Sequence, residues 1–240
     1  MTAVLPSRAI VLAGGRGTRL APYTTVFPKP LMPIDGRPVL ELVLRRLRHQ
    51  GITRVTLAVS YLEELIRAFF GDGRRVGVEL EYYREDTPLG TAGVLAQLAH
   101  LPDPCLLMNG DVLSTVDIAG MVRVHAATGA AMTVATQKRS VHIDYGVLDV
   151  GDDGLISRYT EKPSLHYAVS AGINLIGARA RSVLRPDESC DVPTLVQRLL
   201  AANERVAAYY SDAYWRDIGR PSDYEQADAE FPQIRAEFGL

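Results

Sequence analysis

Apolar residues recur along the chain in two alternating rhythms. Arg8-Ala-Ile-Val-Leu-Ala13 is a short continuous run stopped by Gly14 and Gly15, which predicts a buried strand feeding a glycine loop. After a proline-rich stretch from Pro28 to Pro38, residues Leu40, Val43, Leu44 and Leu47 return at helical spacing. Arg45, Arg46 and Arg48 near the end, with Gly51 as terminator, predict a helix of about three turns. Arg54 to Val59 reads again as strand, and Leu62, Leu65, Ile66 and Phe69 as the stripe of a second helix ended by Gly71-Asp-Gly73. A strand from Val78 to Tyr83, a helix from Thr91 to Ala99 and a buried strand from Pro104 to Met108 continue the alternation.

Short strands separated by helices predict βαβ units, hence an α/β fold: a doubly wound, mainly parallel, Rossmann-like sheet with helices on both faces. Beyond Ala130 the texture changes. Ala131 to Thr136, Gly146 to Val150, Leu155 to Thr160 and Ala171 to Ile176 are β-rich, and Asp152-Asp-Gly154 reads as a hairpin turn. A helix from Thr194 to Ala202, a strand from Val206 to Tyr210 and a last helix from Ser222 to Phe231 complete the pattern. With no repeat or linker in view, residues 1–240 are expected to form one domain, divided near residue 130 into two halves.

Composition narrows the class. The 240 residues are 47% hydrophobic and 22% charged, which excludes disorder and fibrous repetition. Lys and Arg number 26 against 28 Asp and Glu, a net charge of −2 that leaves no global footprint for nucleic acid or an anionic membrane. The longest apolar runs fall far short of the ~20 residues needed to span a bilayer, and Met1 to Arg8 lacks the pattern of a secretory leader, so a cytoplasmic protein is expected. Two cysteines, Cys105 and Cys190, form neither a disulfide framework nor a metal motif.

The chemistry begins in the first glycine loop. Leu12-Ala-Gly-Gly-Arg-Gly-Thr-Arg-Leu20 sets three glycines directly after a strand, where backbone N–H groups can surround phosphate oxygens without Cβ obstruction. The third glycine of a dinucleotide fingerprint and the Walker lysine are both missing. A plain glycine turn at a strand end accounts for the same residues. Arg16, Arg19 and Lys29 lie in or just beyond the loop, Lys29 between the prolines of Phe27-Pro-Lys-Pro30, which restrict the backbone around it.

The two linked segments resemble the signature of the sugar-1-phosphate nucleotidylyltransferase family, in which both bind the nucleoside triphosphate. Further segments resemble the same family in order: Thr87-Pro-Leu-Gly-Thr-Ala-Gly93 its nucleobase and ribose loop, Asn109-Gly-Asp111 its metal-binding strand end, and Glu161-Lys-Pro163 its sugar-phosphate motif. Ser170-Ala-Gly172 is similar to the segment beside the sugar, and Asp217 in Trp215-Arg-Asp-Ile-Gly219 to the second metal carboxylate. The resemblance implies a nucleotide-diphospho-sugar transferase fold whose first half binds nucleotide and whose β-rich second half binds sugar phosphate. It implies catalytic Arg16, Lys29, Asp111 and Lys162, and a nucleotide site of Leu12, Ala13, Gly14, Gly15, Gly17, Thr18, Arg19, Glu85, Pro88, Gly90 and Thr91. Asn109, Gly146, Glu161, Lys162, Ser170 and Gly172 fall to the sugar phosphate, and Asp111 and Asp217 to Mg²⁺. The implied partners are a nucleoside triphosphate and a sugar 1-phosphate, without nucleic acid or membrane; a homo-oligomer is compatible. Since several relatives append a β-helix or helical tail, the chain is expected to be the catalytic domain alone.

The implied reaction joins a sugar 1-phosphate to a nucleoside triphosphate and releases pyrophosphate. Its nucleophile is a phosphate oxygen already ionised at neutral pH, so no triad or general base is required, and the five histidines form none. Glu85 stands where thymidylyl and uridylyl members commonly carry glutamine. A carboxylate only accepts, which suits guanine's N1–H and N2 amine. The run from Glu85 to Gly93 also resembles mannose- and heptose-1-phosphate guanylyltransferases more than glucose-1-phosphate enzymes. Ser170 and Asn174 depart from the asparagine and tyrosine usual in those relatives, leaving the sugar open, and UTP, dTTP and CTP stay as alternatives for the donor. A catalytically silent sugar-nucleotide sensor would keep the fold but lose the cations and carboxylates retained here. A dinucleotide-dependent oxidoreductase would need the missing third glycine.

Overall fold

The computed structural model describes residues 4–186 and 188–240, so residues 1–3 of the Met1 to Arg8 stretch lie outside the described residues. The first apolar run forms strand β1 (Ala9–Leu12), and the proline-rich stretch closes in a small hairpin, β2 (Pro33–Ile34) with β3 (Arg37–Pro38). Helix α1 (Val39–His49) follows at once. Its Leu40, Val43, Leu44 and Leu47 are all buried, each contributing about 1.5–3 kcal/mol by leaving water. Buried Glu41 on the same helix is tolerated because Arg37 and Arg45, one turn to either side, reach its Oε1 at 2.9 and 2.8 Å. Strand β4 (Arg54–Val59), helix α2 (Glu63–Phe70) and strand β5 (Glu79–Arg84) complete the βαβ series that the spacing predicts.

Three regions differ from the sequence expectation. The helix expected from Thr91 to Ala99 is one turn, α3 (Gly90–Gly93), running into a 3₁₀ turn at Val94–Ala96. The amides of Ala92 and Gly93 both donate to the Cys190 carbonyl, at 2.8 and 2.9 Å, so the segment is pinned to a distant loop. After strands β6 (Cys105–Asn109) and β7 (Val112–Ser114) comes helix α4 (Ile118–Thr128), which the periodicity did not reveal. Its valines, alanines and glycine lie on all sides, and no apolar stripe stands out. Strands β8 (Met132–His142) and β11 (Ser164–Ile176) run well past their expected lengths. Their core portions are apolar, but the outer portions pair as a ribbon exposed on both faces, which erases the alternation that marks a half-buried strand. Between them, β9 (Val147–Val150) and β10 (Ile156–Thr160) form the expected hairpin, with Gly154 at φ +79° donating to the Gly151 carbonyl at 2.9 Å.

Helices α5 (Ala178–Arg181) and α6 (Val192–Ala201), strands β12 (Val206–Tyr210) and β13 (Trp215–Asp217) and helix α7 (Pro221–Glu230) finish the chain. The main sheet has seven strands in the order β12-β8-β11-β6-β1-β4-β5. It is parallel except at β11, which runs antiparallel to both neighbours. Alternate residues of β1 feed two cores. Ala9 and Val11 join α1, α2, α4 and the C-terminal Phe231 and Phe238 on one face, whereas Ile10 joins Ala92, Val94, Leu195 and Leu199 on the other. Helices therefore cover both faces. The chain winds outward from β1 through β4 to β5 and returns to β6 on the other side of β1, which opens a crevice at the carboxyl ends of these strands.

Candidate active site

The glycine loop leaves β1 at that crevice. A Cβ at Gly14 would meet Ser60 at 3.1 Å, beyond the end of β4, whereas Gly15 has nothing within 4 Å and presents open backbone. Gly17 sits at φ +62°, and a Cβ there would press on Thr24 at 3.0 Å and Lys29 at 3.1 Å. The Thr24 hydroxyl donates to the Gly17 carbonyl at 2.7 Å, so the loop and the Lys29 segment form one packed unit. Leu12 and Ala13 end the strand, and Thr18 and Arg19 begin a 3₁₀ turn. Exposed Arg16 lies 5.8 Å from the Tyr61 ring centroid, and the Arg19 guanidinium lies 3.5 Å from the position a Cβ would take on Gly219.

Lys29 is buried, and its ammonium is ion-paired with Asp111. Asp111 follows Gly110, where a Cβ would fall 2.8 Å from the Leu12 carbonyl, so only glycine lets the Asn109-Gly-Asp111 turn lie against the end of β1. Asp217 reaches the same place through β13, which pairs antiparallel with β7 and sets Asp217 opposite Val112. The amide of Ile218 donates to the Asp111 carbonyl at 3.0 Å. Burial, and then the nearby Asp111 charge, push the Asp217 carboxyl above its ordinary range; Lys29 and Arg19 oppose the shift. The two-pronged pair of Arg216 with Glu230, at 2.9 and 2.6 Å, ties β13 to α7. Among the described residues no cluster of three or more His, Cys, Asp or Glu could hold a metal. Two neighbouring carboxylates nevertheless suit a divalent cation of the kind that takes few protein ligands and completes its shell with substrate phosphates and water. A divalent cation would relieve the repulsion that raises Asp217.

Glu85 follows β5, anchored by its amide on the Val59 carbonyl at 2.9 Å. Burial raises its carboxyl above the usual range, and its Oε1 is buried without a hydrogen-bond partner among the described residues. Beyond exposed Pro88, Gly90 turns at φ +75° against Asp191 and Cys190, where a Cβ would lie 2.7–2.8 Å from their atoms. Asp191 Oδ1 accepts the Thr91 amide at 2.9 Å, and the Thr91 hydroxyl accepts the Val192 amide at 2.9 Å. Thr91, a candidate nucleotide residue, thus spends its hydroxyl on fastening this loop to α6.

A cavity of about 570 Å³ opens beside the carboxylates. It gathers Thr91, Asn109, Ser170, Gly172 and Asp217 from the sequence-derived candidates. Gly172, at φ +70°, is needed there because a Cβ would meet Asn109 Nδ2 at 2.8 Å. The cavity adds Val134, Val196 and Trp215, to which the sequence reading gave no role, and Asn174, noted there only as a departure from the tyrosine usual in relatives. Trp215, the chain's only tryptophan, sits two residues before the candidate Asp217, a proximity that could have marked it. Its indole N–H donates to the Ala171 carbonyl at 2.8 Å, and Arg139 stacks above its ring at 5.2 Å. Gly146, Glu161 and Lys162 do not line this cavity. They belong to the exposed ribbon region, where Tyr159 donates to Glu161 Oε2 at 2.8 Å and a Cβ on Gly146 would collide with the Tyr159 ring. Lys162 takes φ +44° at the turn into β11.

Residues 8–233 match the family model described as nucleotidyl transferase. The chain is 32% identical over 229 residues to a mannose-1-phosphate guanylyltransferase of Mycobacterium tuberculosis, covering 92% of this chain and 64% of that one. It is also 32% identical over 244 residues to a UTP–glucose-1-phosphate uridylyltransferase of Synechocystis, covering 92% and 62%. The chain therefore spans a little under two thirds of the length of these curated relatives. Among solved structures, HddC from Yersinia pseudotuberculosis superposes with a TM-score of 0.73 at 24% identity, over 93% of this chain and 99% of that one.

Proposed function

Since the chain belongs to the nucleotidyl transferase family, we propose that it transfers a nucleoside monophosphate from a nucleoside triphosphate to a sugar 1-phosphate, with release of pyrophosphate. The observation that carries this reading is the convergence of Lys29, Asp111 and Asp217 beside the glycine loop and the cavity. No acid–base pair is needed. A sugar-phosphate oxygen forms a bond to the α-phosphorus as the bond to the β-phosphate oxygen breaks, and the electron pair leaves with pyrophosphate.

The loop amides of Gly14, Gly15 and Gly17, with Arg16, Arg19 and Lys29, hold the triphosphate and neutralise charge on the departing pyrophosphate. Asp111 and Asp217 are the residues that would hold Mg²⁺, which supplies positive charge at the α-phosphate when bound. Lys29 shares its ammonium between Asp111 and the incoming phosphates. Lys162 meets the acceptor phosphate, and Glu161, steadied by Tyr159, accepts from sugar hydroxyls. GTP is the proposed donor, because the half-buried Glu85 carboxylate only accepts, which suits the two donors on guanine's edge. Mannose- and heptose-like sugar phosphates are the proposed acceptors. The uridylyltransferase relative, equally similar at 32% identity, supports UTP as the second reading.

A matrix of GTP, UTP, dTTP and CTP against sugar 1-phosphates, read by pyrophosphate release with Mg²⁺ present, tests the proposal. Turnover is expected with GTP and a mannose-like acceptor. A blank matrix would reject the transferase reading in favour of a silent sensor, and highest turnover with UTP would reject the base assignment alone.

A further inference from the structure

Apolar side chains left in water are not spread evenly over the molecule. Among the described residues, nine of the seventeen large ones that stay exposed fall between Val141 and Tyr167, on the ribbon of outer β8 and β11 and on the β9–β10 hairpin between them. The hairpin is two-faced. Leu148 stands opposite Tyr159 and Val150 opposite Ile156, so these four side chains share one face, and the register shift between Ile156 and Arg158 is what returns Tyr159 to it. The other face carries Asp149 opposite Arg158, joined at 3.5 Å. Apolar on one side and charged on the other is the pattern of a sheet that packs on something. Yet all four apolar side chains are exposed, and none belongs to either core. On the ribbon, exposed Leu165 stands opposite exposed Val141, with exposed Tyr167 two residues on.

An isolated two-stranded hairpin is marginal in water, and the largest exposed apolar patch of a monomer is ordinarily about 300–600 Å². The nine side chains here are 39–79% exposed. At about 150–250 Å² for each large side chain they present about 700–1,300 Å². That is the scale of the ~800 Å² each partner contributes to a standard interface. Charge then separates the possible occupants. Residues 138–162 hold four Lys and Arg against five Asp and Glu, so the patch lacks the cationic excess that nucleic acid or an anionic membrane requires. Two identical copies, by contrast, meet with little repulsion. Lys138 and Arg139 lie where β8 runs beyond its pairing with β12, and Asp152 and Asp153 lie in the hairpin turn. A two-fold contact, in which each surface meets its own copy, thus has both signs to pair.

We propose that the hairpin and ribbon form the interface of a two-fold homodimer, the apolar hairpin face of one copy covered by that of the other. The contact reaches the site indirectly. Glu161 and Lys162 follow β10 at once, and neither lines the cavity of the single chain. A partner that covers the hairpin also steadies the turn that carries them. On the transferase reading, on which this consequence alone rests, the dimer binds the acceptor phosphate more tightly than the monomer does.

Sedimentation or light scattering from about 0.1 to 100 μM reads the mass in solution, which is expected to rise from 26.2 kDa toward twice that value. Val150→Lys combined with Ile156→Glu replaces part of the apolar face by a cross-strand ion pair that keeps the hairpin paired. It is expected to weaken association about 100-fold or more. Leu200→Lys, at an exposed leucine on α6 outside the patch, should leave association unchanged. In the double variant the KM for the sugar 1-phosphate should rise while the KM for the nucleoside triphosphate holds. A wild-type mass of 26.2 kDa at every concentration overturns the proposal, whether the face then stays bare or takes a different protein. A double variant that still dimerises overturns it as well, since the interface must then lie elsewhere. An unchanged acceptor KM in a monomeric variant overturns the link to the site and leaves the interface standing, whereas dimers that release no pyrophosphate in the matrix overturn the transferase reading alone. Should the double variant not fold, Leu148→Thr, which keeps a strand-forming side chain, provides the same comparison.

Discussion

Asp217 is asked to be charged in a place that resists charge. Burial and the Asp111 carboxylate both raise it, so the folded chain holds a proton there at pH values where the unfolded chain has released it. Stability then falls as pH rises from the ordinary carboxylate range through the raised value, and the penalty is complete above it. Asp217→Asn removes that penalty. The variant is expected to melt higher than the wild type at neutral pH, the gap closing in acid, while turnover falls on the order of 10²-fold or more because the cation has lost a ligand; Asp111→Asn should lose turnover similarly. Melting curves across pH, paired with pyrophosphate assays at saturating Mg²⁺, check both halves, and full turnover in either variant would remove that residue from the site. Glu85 is raised by burial too, and its unpartnered oxygen gives a second expectation. Glu85→Gln should erode a preference for GTP over UTP by about 10–100-fold, the scale of one buried charged hydrogen bond. Competition between the two nucleotides in one reaction measures it, and an unchanged product ratio would assign base selection to the loop backbone.

At the scale of elements, the loop from Glu85 to Gly93 works because it is fastened elsewhere. Gly90 occupies φ +75° with Asp191 and Cys190 at its back, and Asp191 accepts the Thr91 amide. Gly90→Ala must carry a Cβ in a left-handed conformation costing about 1–2 kcal/mol, before the collision with Asp191 is counted. For a chain of this size that is a Tm loss of about 2–8 °C. Asp191→Ala, which strips the acceptor from the Thr91 amide, should cost about 0.5–2 kcal/mol, as for other helix-start acceptors. Both variants should raise the KM for the nucleoside triphosphate more than they lower kcat, since the loop binds rather than reacts. A Tm loss with unchanged nucleotide KM would make the clasp structural only. This fastening was not legible in the sequence. Thr91 and Asp191 are a hundred residues apart, and the glycines that look like helix-start residues are there to admit the distant Cys190–Val192 segment.

For the molecule as a whole, the site exists only where both halves of the chain meet. Lys29 and Asp111 come from the first half and Asp217 from the second, joined by the β7–β13 pairing. A nucleoside triphosphate with Mg²⁺ should therefore stabilise the fold cooperatively. At a hundredfold excess over Kd the gain is about 2.7 kcal/mol, equivalent to about 5–11 °C in Tm. Each alone should give less, and Asp111→Asn should lose the Mg²⁺-dependent part; equal shifts with and without Mg²⁺ would reject the carboxylate pair as a cation site. By itself the sequence determined the strands and helices whose apolar spacing is local, the glycine loop, and the residue types that phosphate transfer requires. Those follow from backbone periodicity and side-chain chemistry, which act over a few residues. Only the tertiary structure decided that Asp217 lies beside Asp111 and that Thr91 is fastened to Asp191. These depend on the β7–β13 register and on a loop contact across a hundred residues, and both are set by the packing of distant segments, which no short stretch of chain encodes.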